Sequence, residues 1–238
     1  MPPGRSTLPK EQARRRYVEL AGLVVLEQIR EDSERLDREA LPVGPFARLD
    51  ANKVAAREGK TRGAISNLFG SQAALQAETM GLALDAAQLI EAIAYPDPAD
   101  HADPDAWVDA FFAEQSARGP RHGAEPAVDY ATLWALWLSA VPYGLWSERV
   151  AGPSVDEHRR WVAQLEEVLG GALDHFGLRL RTGTTLNDLA CGAVSLVEGA
   201  WLNQCLTPRH PSDPSAPIAE TLRRSGRLLW RGAVEPGP

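Results

Sequence analysis

Residues 60–75 read KTRGAISNLFGSQAAL, and this stretch decides the fold. Thr61 is a good helix N-cap, because its hydroxyl can accept from a free N–H of the first turn. Ile65, Leu68 and Phe69 share one helical side, while Arg62, Ser66 and Asn67 put polar tips on the other. Gly70 stops this helix and Ser71 caps the next. A short helix, apolar behind and set in front with groups that bond bases and phosphates, suits reading duplex DNA. Upstream, Asp50 can cap a helix over Ala51–Glu58, with Val54 and Ala55 inward and Asn52, Lys53 and Arg57 outward. Gly59 supplies a sharp turn, so the order is helix, Gly-containing turn, helix.

The segment FARLDANKVAAREGKTRGAISNLFGSQAAL, Phe46 to Leu75, resembles the tetracycline-repressor (TetR) family of transcriptional regulators, without a gap. Gly59, Thr61, Gly63, Ile65, Phe69, Ser71 and Leu75 stand in register with the family pattern. Two positions depart from it. Ser66 stands where a phosphate-binding tyrosine is usual, and Gln72 where a lysine is usual. Both changes remove phosphate contacts, for which Lys60 and Arg62 can compensate. Asp32–Gly44 (DSERLDREALPVG) is extra, so the first helix is longer than usual or followed by an insertion. The resemblance implies an all-α protein. Its N-terminal three-helix helix-turn-helix domain, 1–70, is linked by a helix over 71–93 to a larger helical ligand-binding and dimerisation domain, 71–238.

A chain of 238 residues can bury a sizeable core. Its net charge of −7 is unevenly spread. Residues 1–70 hold 13 Lys+Arg against 10 Asp+Glu, and residues 71–238 hold 12 against 22. This is either scatter or a basic head on an acidic body, the layout DNA binding expects. MPPGRSTLPKEQARRR shows no secretion signal. Tyr130–Ser147 carries no charge, but it contains Pro142 and Gly144 and lacks a basic flank, so it reads as a buried helix rather than a membrane span. Cys191 and Cys205 make no disulfide framework, which fits a reducing cytoplasm. They are small buried apolar residues or, alternatively, redox sensors.

Helical spacing continues along the chain, and strand signals are weak. A first helix runs from about Pro9 to Ile29 or beyond, with Tyr17, Leu20, Ala21, Val24 and Val25 inward. The helix begun at Ser71 carries Leu75, Thr79, Leu82, Ala86, Leu89 and Ile93 on one stripe. Further helices are expected over Asp105–Arg118, over Val128–Val150 with a kink at Pro142, and over Val155–Phe176 with His158, Val162, Leu165, Leu169, Leu173 and Phe176 on one side. Thr185–Leu206 follows, then an extended linker Thr207–Pro217, then a last helix Ile218–Arg231.

For chemistry, His101, His122, His158, His175 and His210 are scattered, and no pair has metal-ligand spacing with a carboxylate partner. No phosphate-cradling Gly loop, serine elbow or Cys-x-x-Cys is present, so neither enzyme, cofactor nor metal is expected. The aromatic set Trp107, Phe111, Trp134, Trp137, Tyr143, Trp146 and Trp201 either fills a core or lines an apolar ligand pocket. The TetR resemblance implies such a pocket. Thr185–Leu206 has two apolar faces: Leu186, Leu189, Val194, Val197 and Trp201 on one, and Cys191, Ser195, Gly199 and Leu202 on the other. It is either a central helix or, with Leu165 and Leu169 of Val155–Phe176, half of a two-fold four-helix interface, which the resemblance favours.

Arg14, Arg15 and Arg16 are a solvated helix start, or they grip phosphates or enter the minor groove. Arg62 is expected to read a guanine edge, Asn67 an adenine or a phosphate, and Thr61 and Ser66 backbone oxygens, while Gly63 and Ala64 allow close approach. Asn52, Lys53, Lys60 and Gln72 complete the expected DNA face. The resemblance implies a homodimer on a near-palindromic duplex operator, released when a small-molecule effector tilts the helix after Ser71. The rival reading is a ligand- or partner-binding protein of this fold with weakened or lost DNA affinity, to which Ser66 and Gln72 point.

Overall fold

Glycines, prolines and side-chain caps divide the chain into helices. A computed structural model describes residues 10–39, 41–57, 59–84, 94–119, 130–207, 209–210 and 213–237. The described part is all-α apart from two small ladders. Its helices are α1 (Lys10–Glu39), α2 (Gly44–Ala47), α3 (Ala51–Arg57), α4 (Arg62–Phe69), α5 (Gln72–Leu84), α6 (Pro104–Arg118), α7 (Tyr130–Ala140), α8 (Glu148–Phe176), α9 (Leu186–Leu206) and α10 (Ile218–Ala233). One antiparallel ladder pairs β1 (Leu178–Leu180) with β4 (Val234–Pro236), and the other pairs β2 (Arg209–His210) with β3 (Asp213–Pro217). Among the described residues no helix is long and apolar enough to cross a membrane.

The chain divides into two units, Met1–Gly81 with Ser139–Gly152, and Leu82–Leu138 with Pro153–Pro238. The first unit therefore runs past residue 70, for a local reason. Leu75 is buried with Ala51, Ala55 and Ile65. Gln76 Nε2 donates to the carbonyls of Ala47 (2.9 Å) and Leu49 (3.0 Å). Residues 139–152 join it because Ser33 Oγ donates to the Tyr143 carbonyl (3.2 Å) and Ser147 Oγ to Asp37 Oδ1 (2.6 Å). Asp37 also accepts from the Glu148 N–H at 3.3 Å, which sets a carboxylate against the first turn of α8. Gly44, at φ 54°, leaves no room for a side chain, since a Cβ would lie 2.1 Å from the Tyr143 hydroxyl oxygen.

Several expectations change here. The first helix reaches Glu39, and its buried end is Ser33 and Leu36, whereas Val24 is 50% exposed. Tyr17, Leu20, Ala21 and Val25 have side chains outside the described residues, and so do Ala86, Leu89 and Ile93 entirely. Leu68 is 79% exposed, because it sits about 60° round α4 from the buried Ile65.

In the second unit Trp107, Phe111 and Phe112 of α6 pack with Trp134, Trp161, Leu165, Leu169, Trp201, Leu222 and Trp230. Phe112 lies so close to α10 that a Cβ on Gly226 would stand 2.1 Å from its ring. The helix expected over Val128–Val150 is not one kinked helix. It stops at Ala140, passes through a 3-10 turn at Val141–Leu145, and resumes as α8. Pro142 has no N–H to continue the ladder, so the break falls there. His158 is exposed rather than on the buried stripe of α8. The expected linker Thr207–Pro217 contains the β2–β3 ladder, and the β1–β4 ladder was not foreseen.

Candidate nucleic-acid interface and ligand cleft

The helix pair is built as its residues dictate. Asp50 Oδ1 accepts the Asn52 N–H at 2.8 Å and so caps α3. Gly59 takes φ 62° at the turn, and the Lys60 N–H closes on the Ala55 carbonyl at 2.8 Å. Gly70 ends α4 at φ 74°, and Ser71 Oγ caps α5 through the Ala74 N–H at 3.1 Å. Thr61 holds the extended N-cap conformation of α4, but its hydroxyl makes no capping bond, which corrects the expected cap.

Behind this pair Val54 and Phe69 close on Ala51, Ala55 and Ile65. In front, Asn52, Lys53, Lys60, Thr61, Arg62, Gly63, Ser66, Asn67 and Gln72 are exposed, and Ala64 is half-buried. Among the described residues no carboxylate pairs with Lys53, Lys60 or Arg62. Three exposed cations with no acidic partner among the described residues can meet phosphates without first breaking a described pair. Arg14, Arg15 and Arg16 fall on α1, with side chains outside the described part.

The aromatic residues do not share one place. Trp107, Phe111, Trp134 and Trp201 are within the core of the second unit, the last fully buried with Nε1 donating to the Gln115 carbonyl at 2.7 Å. Tyr143 and Trp146 belong to the first unit. Trp137 borders a cleft of about 440 Å³ with Val155, Glu157, His158, Trp161 and Glu198. Burial raises the Glu198 carboxyl above the usual carboxylate range, and the charge of His158 opposes that shift. Trp161 and Glu198 escaped the sequence reading. The available signal was that Glu198 is the lone charged residue between Asp188 and Arg209.

Of the residues expected at a two-fold interface, Leu165 and Leu169 are buried in the unit's own core. Ser195, Gly199 and Leu202 are exposed on α9, and Cys191 is half-buried. Burial pushes the Cys205 thiol up, away from reactivity. Among the described residues no group of three or more His, Cys, Asp or Glu side chains is placed to hold a metal ion.

No protein-family model and no curated protein matches the chain. Two solved structures are similar in fold. A Rhodococcus sp. protein designated a TetR-family transcriptional regulator is 12% identical at a TM-score of 0.45, over 84% of this chain and 95% of its own. A Saccharomonospora viridis protein designated a transcriptional regulator, in complex with choline, is 17% identical at 0.46, over 89% of this chain and 98% of its own. Neither likeness is close.

Proposed function

We propose that this chain is a TetR-like transcriptional regulator, a homodimeric repressor that binds a near-palindromic operator and is released by a small, largely apolar ligand. The observation that carries the reading is the exposed set Lys53, Lys60 and Arg62, without an acidic partner among the described residues, beside Asn67 on a helix-turn-helix with a closed apolar back. Here α4 enters the major groove, Arg62 takes a guanine edge, and Lys53 and Lys60 take phosphates. The first unit is the DNA-binding head and the second the ligand-binding and dimerising body. The exposed α9 face of Ser195, Gly199 and Leu202 meets its twin across the two-fold axis. Two heads about 34 Å apart read the half-sites. Ligand and operator each lower the affinity for the other by one coupling energy. Such a protein works in the cytoplasm and performs no catalysis.

Selection of bound duplexes from a random pool tests this, with a two-fold symmetric site as the expected result. On that site Arg62→Ala costs about 1–3 kcal/mol and relaxes preference at one base pair. Equal losses on every sequence would reduce Arg62 to a phosphate contact. Gly199→Arg is expected to give monomers on a sizing column, and an intact dimer would move the interface elsewhere.

A second reading is favoured by Ser66 and Gln72, both exposed where the resemblance expects a tyrosine and a lysine. It is a protein of this fold that binds ligands or partners and has lost DNA. Failure to shift any duplex at low ionic strength selects it, because phosphate-driven binding is strongest there.

A further inference from the structure

We propose that the cleft bordered by Trp137, Trp161 and Glu198 binds a small organic cation, a quaternary or protonated amine with an apolar body. This deepens the ligand-binding reading of the second unit and rests on it. The cleft is lined by α7, α8 and α9, and its volume of about 440 Å³ is ordinary for a small-molecule site.

Glu198 states the need for positive charge. It is half-buried on α9, and among the described residues no hydrogen bond or ion pair reaches its carboxylate. Withdrawing its charge from water is costly, and the upward shift of its carboxyl, opposed in part by the charge of His158, records that cost. A ligand ammonium would supply a further positive partner. Glu157 of α8 adds a second carboxylate to the lining, with the Arg160 guanidinium 3.8 Å from it.

The indoles supply the rest. Trp137 is fixed in place, because its Nε1 donates to Ser154 Oγ at 3.2 Å. Trp161 has one face stacked on Trp201, at 5.7 Å and 15°, so it turns its other face or an edge to the cleft. Indole faces attract cations through their quadrupole, most strongly when water is excluded. Arg159 also lines the cleft, but its guanidinium is 74% exposed and bonded to Asp156 at 3.1 Å.

Other ligand classes fit less well. An anion meets two carboxylates. A neutral apolar molecule adds no counter-charge for Glu198. A metal ion lacks a third ligand among the described residues.

The test titrates the full chain with choline and with tetraethylammonium, by tryptophan fluorescence and calorimetry. The control is the uncharged isostere of choline, in which carbon replaces the quaternary nitrogen. The expected result is saturable binding of a cation, with the isostere about tenfold or more weaker. Glu198→Gln should remove that preference and leave the isostere unchanged. Trp137→Leu should weaken the cation about tenfold. Melting curves check that both variants fold.

Equal binding of cation and isostere, a preference that survives Glu198→Gln, or binding of neither cation would each overturn the proposal. A duplex-shift assay run beside it separates the two readings. Cation binding with no effect on a working shift supports the site and overturns ligand release. A working shift without cation binding overturns the site and leaves the regulator standing.

Discussion

The helix pair and the second unit treat their cations in opposite ways. On the helix pair, Lys53, Lys60 and Arg62 stand exposed without an acidic partner among the described residues. In the second unit arginines are tied down: Arg118 to Glu114, Arg179 and Arg181 to Glu235, Arg227 to Asp109, and Arg231 to Asp105. Positive charge in the second unit is spent internally, joining α6 to α10 and closing the β1–β4 ladder. On the helix pair it is left available to a polyanion. The net charge of each region hints at this difference, but the pairing decides it.

The comparison breaks most visibly under charge reversal. Lys53→Glu, Lys60→Glu and Arg62→Glu together should cost about a thousandfold or more in duplex affinity at moderate salt, read by anisotropy. The melting temperature should hardly move, since none of the three pairs with an acid among the described residues. A large drop in melting temperature would show that these cations belong to the fold. Arg227→Ala should do the reverse. It leaves the half-buried Asp109 without its 2.7 Å partner, so about 1–3 kcal/mol of stability goes while duplex affinity is kept.

Glu198 sharpens the contrast, as an acid in the second unit with no arginine pair among the described residues. Its folded carboxyl titrates above the unfolded value, so the charged form destabilises the fold once pH exceeds the unfolded value. Glu198→Gln should therefore raise the melting temperature near neutral pH, and the gain should vanish where the acid is protonated in both states. The smallest effect is at Asp105. The guanidinium of Arg231 holds its carboxyl below the usual range, so the pair's contribution is present above the ordinary Asp value of about 3.9 and lost as pH falls through the lowered one. Asp105→Asn should cost less than about 1 kcal/mol at neutral pH, because the pair is exposed, and the difference should close in acid.

What could be read from the sequence followed the range of the forces involved. Asp50, Gly59, Gly70 and Ser71 act on neighbours within four residues, so the helix pair and its exposed face were legible. The capping box at the start of α9 is equally local, with Thr185 Oγ1 accepting the Asp188 N–H at 3.1 Å. The buried end of α1 was not legible, because Ser33 and Asp37 find partners 110 positions away. Nor were the ladders, whose strands of two to five residues show no alternation to detect. The aromatic residues misled for a related reason. Spacing marks Trp107 and Trp201 as inward, but only tertiary packing separates a core indole from one that borders a cleft.

The seam between α6 and α10 has a consequence for the order of assembly. Its ion pairs bridge 118 and 126 positions, so that surface cannot close until α10 has left the ribosome. The apolar back of the helix pair joins residues between Leu49 and Leu75 and needs no such wait. Local closure is fast and distant closure slow. In refolding, amide protection over α3 and α4 should therefore appear before protection over α6.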